Sequence, residues 1–132
     1  MKQVIVFAVA ALLIGCVEKP YEASSTIYSS AFAQKSSRKT KVRVHREQQL
    51  TGSALGESCP LVLKVDDVEV AGLQQNQYVD LYLADGLHDL SVRFACAATA
   101  WRKSITIIAD GKDQEINTEQ GAAGQYRMWR VK

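Results

Sequence analysis

The stretch that decides the fold runs from Cys59 to Cys96 and reads CPLVLKVDDVEVAGLQQNQYVDLYLADGLHDLSVRFAC. Apolar and polar side chains alternate through most of it, which is the two-residue period of a half-buried strand. Turn-forming pairs interrupt the alternation, Asp-Asp at 66–67 and Asp-Gly at 85–86. The stretch therefore predicts a strand, a hairpin turn, a strand, a tight turn and a strand, with a cysteine at each end that could close one stapled sheet.

The same alternation predicts further strands on both sides of this stretch. One lies at 42–46, another at 101–108, and two weaker ones lie near 114–118 and 126–131. No helical period is convincing after residue 40. Short strands separated by closely spaced turns predict an all-β domain over residues 41–132, either a small antiparallel β-sandwich of the immunoglobulin-like kind or a small barrel, and we favour the sandwich.

The N-terminus indicates export. A positive start at Lys2 precedes an apolar run, Val4 to Ile14, which is shorter than the roughly 20 residues of a permanent membrane span and fits the core of a secretory signal. The run ends in Leu-Ile-Gly-Cys at 13–16, which resembles the lipobox of bacterial lipoproteins. The resemblance implies a signal peptide over 1–15 and an acylated, diacylglycerol-bearing Cys16. The alternative is an ordinary signal peptide cleaved further on, at Ala-Phe-Ala 31–33.

The lipobox resemblance also implies a cellular location. Two or more long acyl chains hold a protein stably on a membrane. Val17 follows the cysteine, where Gram-negative lipoproteins retained in the inner membrane commonly carry Asp. The implied location is therefore the periplasmic side of the bacterial outer membrane.

Residues 16–40 are predicted to form a flexible tether, because serines occur there in pairs and no periodicity holds. Such a coil would lift the domain by roughly 25–30 Å. Basic residues cluster at its end: Lys35, Arg38, Lys39, Lys41 and Arg43. They could attract anionic lipid headgroups or peptidoglycan carboxylates, or they could simply be solvated.

Cys59 and Cys96 are predicted to form a disulfide, since an exported chain meets an oxidising compartment. The alternative is two free, buried thiols. A bridge over this span would stabilise the fold by about 3–4 kcal/mol in the chain-entropy model. That is large beside the roughly 5 kcal/mol available to such a small domain.

Five short motifs resemble the PEGA-like domain of small bacterial lipoproteins. They are Val-x-Val-His-Arg at 42–46, Leu-x-Val-Asp-Asp at 63–67, Val-Ala-Gly-Leu at 70–73, Gln-Tyr-Val at 77–79 and Ala-Asp-Gly-Leu-His-Asp-Leu at 84–90. The resemblance covers roughly residues 42–95. It implies a β-sandwich with an envelope role in surface maintenance, substrate binding or assembly, and it brings no catalytic residues.

The residues offer little chemistry. A formal charge of +2, which includes Lys2 of the signal peptide, argues against a nucleic-acid partner. His45 and His88 lack the spacing of a metal site, and no nucleophile or phosphate-loop motif is present. We predict a protein that is not an enzyme and needs no cofactor or metal, with His88 bonding the backbone of a turn.

A binding surface is the remaining functional prediction. Tyr78 and Tyr82 share the face opposite the apolar stripe of their strand. Further aromatic and basic residues join them in the prediction: Trp101, Arg102, Arg127 and Trp129. This composition is typical of interaction surfaces, although the tyrosines could instead pack against the protein. The predicted partner is an envelope protein. The alternative is a glycan-binding or lysozyme-inhibitor-like module, with peptidoglycan as the ligand.

Overall fold

A computed structural model describes residues 20–48, 59–97, 102–120 and 125–132, and these residues form ten strands and no helix. In chain order the strands are β1 (Glu22–Ala23), β2 (Thr26–Ile27), β3 (Thr40–Arg46), β4 (Leu61–Val65), β5 (Val68–Leu73), β6 (Gln77–Leu83), β7 (Gly86–Phe94), β8 (Lys103–Ala109), β9 (Gln114–Gln120) and β10 (Tyr126–Arg130). In this described part of the chain, no helix could cross a membrane. The all-β prediction is confirmed.

The strands form two five-stranded sheets packed as a sandwich. Sheet A has the order β1-β6-β3-β9-β10 and sheet B the order β2-β5-β4-β7-β8. Every pair in sheet B is antiparallel, whereas sheet A contains two parallel pairs, β1 with β6 and β3 with β9. The predicted sandwich is therefore present, with a mixed rather than a purely antiparallel sheet A.

The core lies between the sheets and is built from alternate residues of each strand. Val42 and Val44 of β3 in sheet A and Leu61 and Leu63 of β4 in sheet B all belong to it, and all four are completely buried. Each fully buried aliphatic side chain of this kind contributes about 1.5–3 kcal/mol relative to exposure. The alternation leaves every second residue of each strand for the outer faces.

Of the strands between Cys59 and Cys96, β6 lies in sheet A, whereas β4, β5 and β7 lie in sheet B. The residues after β4 turn at Asp66 and Asp67, with φ of 48° and 66°, into the predicted hairpin with β5. β6 then lies in sheet A, and the chain returns to sheet B at Gly86, whose φ of 122° favours glycine. The prediction of a single stapled sheet is wrong for β6, because an alternating pattern fixes which face is buried and not which sheet takes the strand.

The predicted disulfide is present. Cys59 and Cys96 are bonded with their Cα atoms 6.2 Å apart. They extend the register in which Leu61 lies opposite Phe94, so the bridge joins β4 to its neighbour β7 within sheet B. The disulfide therefore closes a loop that contains β5 of sheet B and β6 of sheet A.

Residues 20–40, which are predicted from the sequence to belong to the tether, contain two short strands. β1 pairs with β6 and β2 pairs with β5, so this segment adds an edge strand to each sheet on one side of the sandwich. Phe32 packs against the core and its carbonyl accepts the Tyr82 amide at 2.8 Å. The strands are only two residues long and carry no alternation that a sequence pattern could reveal. Residues 16–19 lie outside the described residues.

Gly72 of β5 shows how closely this N-terminal segment approaches sheet B. A Cβ atom at Gly72 would lie 2.9 Å from the Tyr28 hydroxyl and 3.2 Å from Thr26. The glycine is therefore needed for the close approach of the two chains. Of the basic residues predicted to end the tether, Lys41 and Arg43 lie within β3.

Candidate functional site

The outer face of sheet A carries most of the predicted binding surface. The residues that point away from the core on its four long strands are Lys41, Arg43, His45, Tyr78, Asp80, Tyr82, Glu115, Asn117, Glu119, Arg127 and Trp129. Their alternation with buried residues puts aromatic and charged groups side by side on one nearly continuous face.

A row of four residues crosses this face from strand to strand. Tyr78, His45, Asn117 and Trp129 lie opposite one another in the registers of β6, β3, β9 and β10. We call these four residues the ring row. The His45 ring meets the edge of Tyr78 with centroids 6.0 Å apart and lies with Nδ1 3.1 Å from Asn117 Oδ1. Cross-strand pairs of this kind stabilise a sheet and fix their side chains in place.

Tyr21 covers the centre of the ring row. Its ring stacks on His45 with centroids 4.1 Å apart and planes 4° apart. Its hydroxyl donates to Glu47, whose Oε1 also accepts from Asn117 Nδ2 at 2.8 Å. His45 is consequently only 8% exposed although it belongs to an outer face. The N-terminal segment is therefore part of this surface.

Arg43 is held rigidly beside the ring row. Its Nε and Nη2 donate to the two oxygens of Asp80 at 2.7 and 2.9 Å, and its guanidinium carbon lies 4.2 Å from the Tyr78 ring centroid. The hydrogen bond to Asp80 raises the pKa of Arg43. Burial alone would raise the pKa of Asp80. The hydrogen bonds and charge of Arg43 act in the opposite direction, as do the charges of Lys41 and His45, and their combined effect lowers the pKa of Asp80. Both groups are charged at neutral pH.

Arg127 lies on the other side of the ring row, on the outer face of sheet A. Arg127 donates to Glu119 at 2.8 Å and lies 5.5 Å from the Trp129 ring centroid. Tyr82 is half-buried beside Lys41, its cross-strand neighbour. The guanidiniums of Arg43 and Arg127 thus stand on both sides of the aromatic groups.

The structure divides the predicted surface in two. Tyr78, Tyr82, Arg127 and Trp129 lie on the outer face of sheet A. Arg102 precedes β8 in sheet B, where it borders a polar hollow on the opposite side of the molecule. The other residues around this hollow are Asp67, Asp89, Ser91, Ser104 and Thr106. The prediction for Trp101 falls outside the described residues, as does the prediction that Cys16 is acylated.

Three residues of the sheet A surface were missed by the sequence prediction. Arg43 and His45 share the outward parity of β3, and the alternation there was a usable signal. Tyr21 had no such signal, because it reaches the surface from a segment without periodicity. His45 thus lies within the ring row, stacked under Tyr21 and next to Asn117.

His88 binds the turn backbone as predicted, and it also contacts a carboxylate. Its Nε2 lies 2.6 Å from the Ala84 carbonyl oxygen and its Nδ1 lies 2.6 Å from Asp66 Oδ2. Neither partner oxygen can donate when Asp66 is ionised, so both ring nitrogens must carry protons. We call the His88–Asp66 pair the clasp. Asp66 Oδ1 also accepts the Asp89 amide at 2.9 Å, which ties the β4–β5 hairpin to β7.

The clasp sets a pH window for stability. Burial alone would lower the pKa of His88, but the hydrogen bonds to Ala84 and Asp66 and the Asp66 charge raise it above 6.5. Burial would raise the pKa of Asp66, but the bonds from Asp89 and His88 lower it below 3.8. The His88 contribution is therefore complete below pH 6.5 and lost as pH rises through its folded pKa. The Asp66 contribution is complete above pH 3.8 and lost as pH falls through its own folded pKa.

We expect His88→Gln to destabilise the domain by about 1 kcal/mol or less near pH 5, because Asp66 is partly exposed. The difference from the unmodified protein should shrink at about pH 9, where both forms are neutral at this position. Urea unfolding at the two pH values measures it. Asp66→Asn is the matched control and should show a similar loss that His88→Gln does not increase. A difference that is the same at both pH values would contradict the clasp.

The described residues hold no group of three or more His, Cys, Asp or Glu that could bind a metal ion. No protein-family model matches the chain, and no curated protein matches it. The function must therefore be argued from the surface itself.

Proposed function

We propose that this protein is a lipid-anchored envelope component that binds another envelope protein through the outer face of sheet A and performs no catalysis. The observation that carries the proposal is the fixed position of Arg43, clamped by Asp80 and stacked on Tyr78. Arginine, tyrosine and tryptophan are the residues that contribute most to binding at protein interfaces.

The geometry favours binding because the surface is already organised. A long arginine side chain normally loses about 0.5–1.5 kcal/mol of rotamer freedom when a partner immobilises it. Arg43 has lost that freedom in the unbound domain, as has His45 between Tyr21 and Asn117. Binding therefore costs less at these positions than on an ordinary exposed strand.

The same contacts argue against the glycan-binding alternative. A sugar stacks on an open aromatic face, whereas one face of Tyr78 is covered by Arg43 and one face of the His45 ring is covered by Tyr21. The Trp129 ring has Arg127 close by. The rings here form part of a mixed aromatic and charged face, which is the composition of a protein-binding surface.

The membrane anchor is supported by the lipobox and by the position of β1. Cys16 precedes Glu22 by six residues, and six extended residues span at most about 20 Å. An acylated Cys16 would therefore hold the sandwich close to the bilayer, nearer than a flexible tether would allow. The surface proposed here for partner binding would face components that lie at or near the membrane.

We expect Cys16→Ser to move the protein from the membrane fraction to the soluble periplasmic fraction, because the acyl chains supply the anchoring energy. Fractionation and immunoblotting measure this, and globomycin should block processing of the unmodified chain. Unchanged fractionation with Cys16→Ser would contradict the anchor. It would leave the partner-binding surface to be judged by its own test.

A photo-reactive residue at Tyr82 should crosslink the protein to a discrete envelope partner in intact cells. The same residue at Lys64, on the outer face of sheet B, is the matched control and should give no such product. Arg43→Met should reduce the Tyr82 product about tenfold or more, as expected for a central interface arginine. Equal crosslinking from both positions, or crosslinking to peptidoglycan alone, would refute the proposed partner class.

A further inference from the structure

The edge strands on the two sides of the sandwich differ in length and charge. On one side the edge strands are β1 and β2, each two residues long, and short edge strands discourage pairing with other chains. On the other side the edges are β10 and β8. β10 has two arginines among five residues. β8 has seven residues and only one charge, at Lys103.

β8 has the composition of a strand that pairs on both sides. Ile105, Thr106, Ile107 and Ile108 are consecutive β-branched residues, which favour extended pairing. Within the described residues, β8 pairs with β7 and with no strand on its other side. At one end of this edge the Gln114 side chain of sheet A donates from Nε2 to the Ile108 carbonyl oxygen at 2.6 Å. In the described part of the chain β10 of sheet A also approaches β8, but the two strands form no ladder.

Apolar side chains lie beside this edge. Ile108 is 60% exposed and Leu87, opposite it on β7, is 70% exposed. They are the two most exposed of the large hydrophobic residues in the described part of the chain. A strand added to β8 would lie directly beside Ile108 and contribute about 25 cal/mol for each Å² of apolar surface that it buries there.

The sequence of β8 with the residue that flanks each of its ends is complementary to itself in the antiparallel direction. If two copies meet with Thr106 opposite Thr106, then Ser104 lies opposite the partner copy's Ile108. Arg102 then lies opposite the partner copy's Asp110. Arg102 and Asp110 are exposed and carry opposite charges, and the two-fold symmetry makes each ion pair twice. Opposite charges in cross-strand positions stabilise pairing by about 0.2–1 kcal/mol each.

We infer that a second copy of this chain binds at β8, antiparallel and centred on Thr106, so that two copies of sheet B form one continuous ten-stranded sheet. The pairing uses main-chain hydrogen bonds along the edge, as in strand addition. It gives Arg102 a role at the edge of sheet B and leaves the outer face of sheet A available. It does not depend on the partner proposed for that face.

Cysteine crosslinking of the full chain tests the register. In the inferred pair the two Thr106 Cβ atoms lie about 4.5–5.5 Å apart, so Thr106→Cys should give a disulfide-linked dimer under mild oxidation. The two Ser104 residues would be separated by four positions, about 13 Å, so Ser104→Cys alone should not. Mixing Ser104→Cys with Ile108→Cys chains should restore the crosslink, because these positions face each other.

Charge reversal supplies a second readout without cysteines. Asp110→Arg should weaken dimerisation about tenfold or more in analytical ultracentrifugation, because it sets like charges opposite each other twice. Adding Arg102→Asp should restore it, and Arg127→Asp in place of Arg102→Asp is the matched control that should not. A monomer at all concentrations, crosslinking as strong at Ser104 as at Thr106, or failure of the double reversal to restore dimers would overturn the inference.

Discussion

Replacing Arg46 with Met should lower the free energy of unfolding by about 2–4 kcal/mol, the largest effect we expect from a single substitution, because two buried acceptors lose their donor. Arg46 is the last residue of β3 and shares the inward parity of Val42 and Val44, so its side chain enters the core and is completely buried. Met fills much of the same space and makes no hydrogen bonds. The stability is therefore lost because hydrogen bonds disappear, and not because a cavity forms.

The cost arises from the acceptors that Arg46 satisfies. Its Nη1 donates to the carbonyl oxygens of Cys59 at 2.9 Å and of Leu73 at 2.8 Å. Leu73 ends β5 of sheet B and Cys59 lies just before β4 of the same sheet, so the guanidinium of a sheet A residue joins the two sheets. It also lies 5.0 Å from the Phe94 ring centroid. A buried acceptor left without a donor costs about 1–3 kcal/mol. Burial lowers the pKa of Arg46 to about 10, which keeps it charged at neutral pH.

Urea unfolding at neutral pH measures the effect, with Arg127→Met as the matched control. Arg127 is exposed and its pair with Glu119 lies at the surface, so its loss should cost about 1 kcal/mol or less. Arg46→Lys should fall between the two, because it keeps the charge and one donor group. Equal stabilities for Arg46→Met and Arg127→Met would show that the buried guanidinium does not join the sheets.

The second large effect should come from the disulfide. Cys59→Ala with Cys96→Ala should cost about 3–4 kcal/mol, because the open chain regains the entropy that the 37-residue loop had lost. Against a total stability of roughly 5 kcal/mol for a domain of this size, the variant should unfold at low denaturant or below body temperature. Reductant should destabilise the unmodified protein by a similar amount and leave the double variant unchanged. Insensitivity of both proteins to reductant would contradict the prediction.

The two predictions are coupled through one carbonyl group. Arg46 donates to the Cys59 carbonyl, so removal of the disulfide loosens an acceptor that the guanidinium needs. Neighbouring changes of this kind are not additive. The combined variant should therefore lose less stability than the two separate losses predict, provided that it still folds in the absence of denaturant.

Much of the architecture follows from local pattern, and the limits of pattern are visible in particular strands. The alternation around Leu61, Leu81 and Leu90 correctly predicts which side chains are buried. It does not predict that Leu81 faces the core from sheet A while the other two face it from sheet B, because all three strands carry the same stripe. The choice between sheets is made by long-range packing.

The sequence pattern predicts some features of the candidate site and misses others. Tyr78 and Tyr82 could be placed on one face because they lie four residues apart on one strand, an even spacing. Arg102 was grouped with them by composition, and it lies on the opposite sheet. Tyr21 could not be placed at all, since its contact with His45 joins residues that no period relates. Local sequence thus predicts faces better than it predicts neighbours.

The N-terminal segment has a mechanical consequence. In a chain anchored through Cys16, any tension between the membrane and a bound partner acts first on β1 and β2. These ladders are held by few main-chain bonds, among them Glu22 to Asn76 at 2.9 Å and Tyr28 to Val70 at 3.0 Å. They would detach before the disulfide-linked sheet yields. Releasing the eighteen residues from Glu22 to Lys39 would add at most about 60 Å of chain, which would let the eight remaining strands stay attached to a partner that moves away from the bilayer.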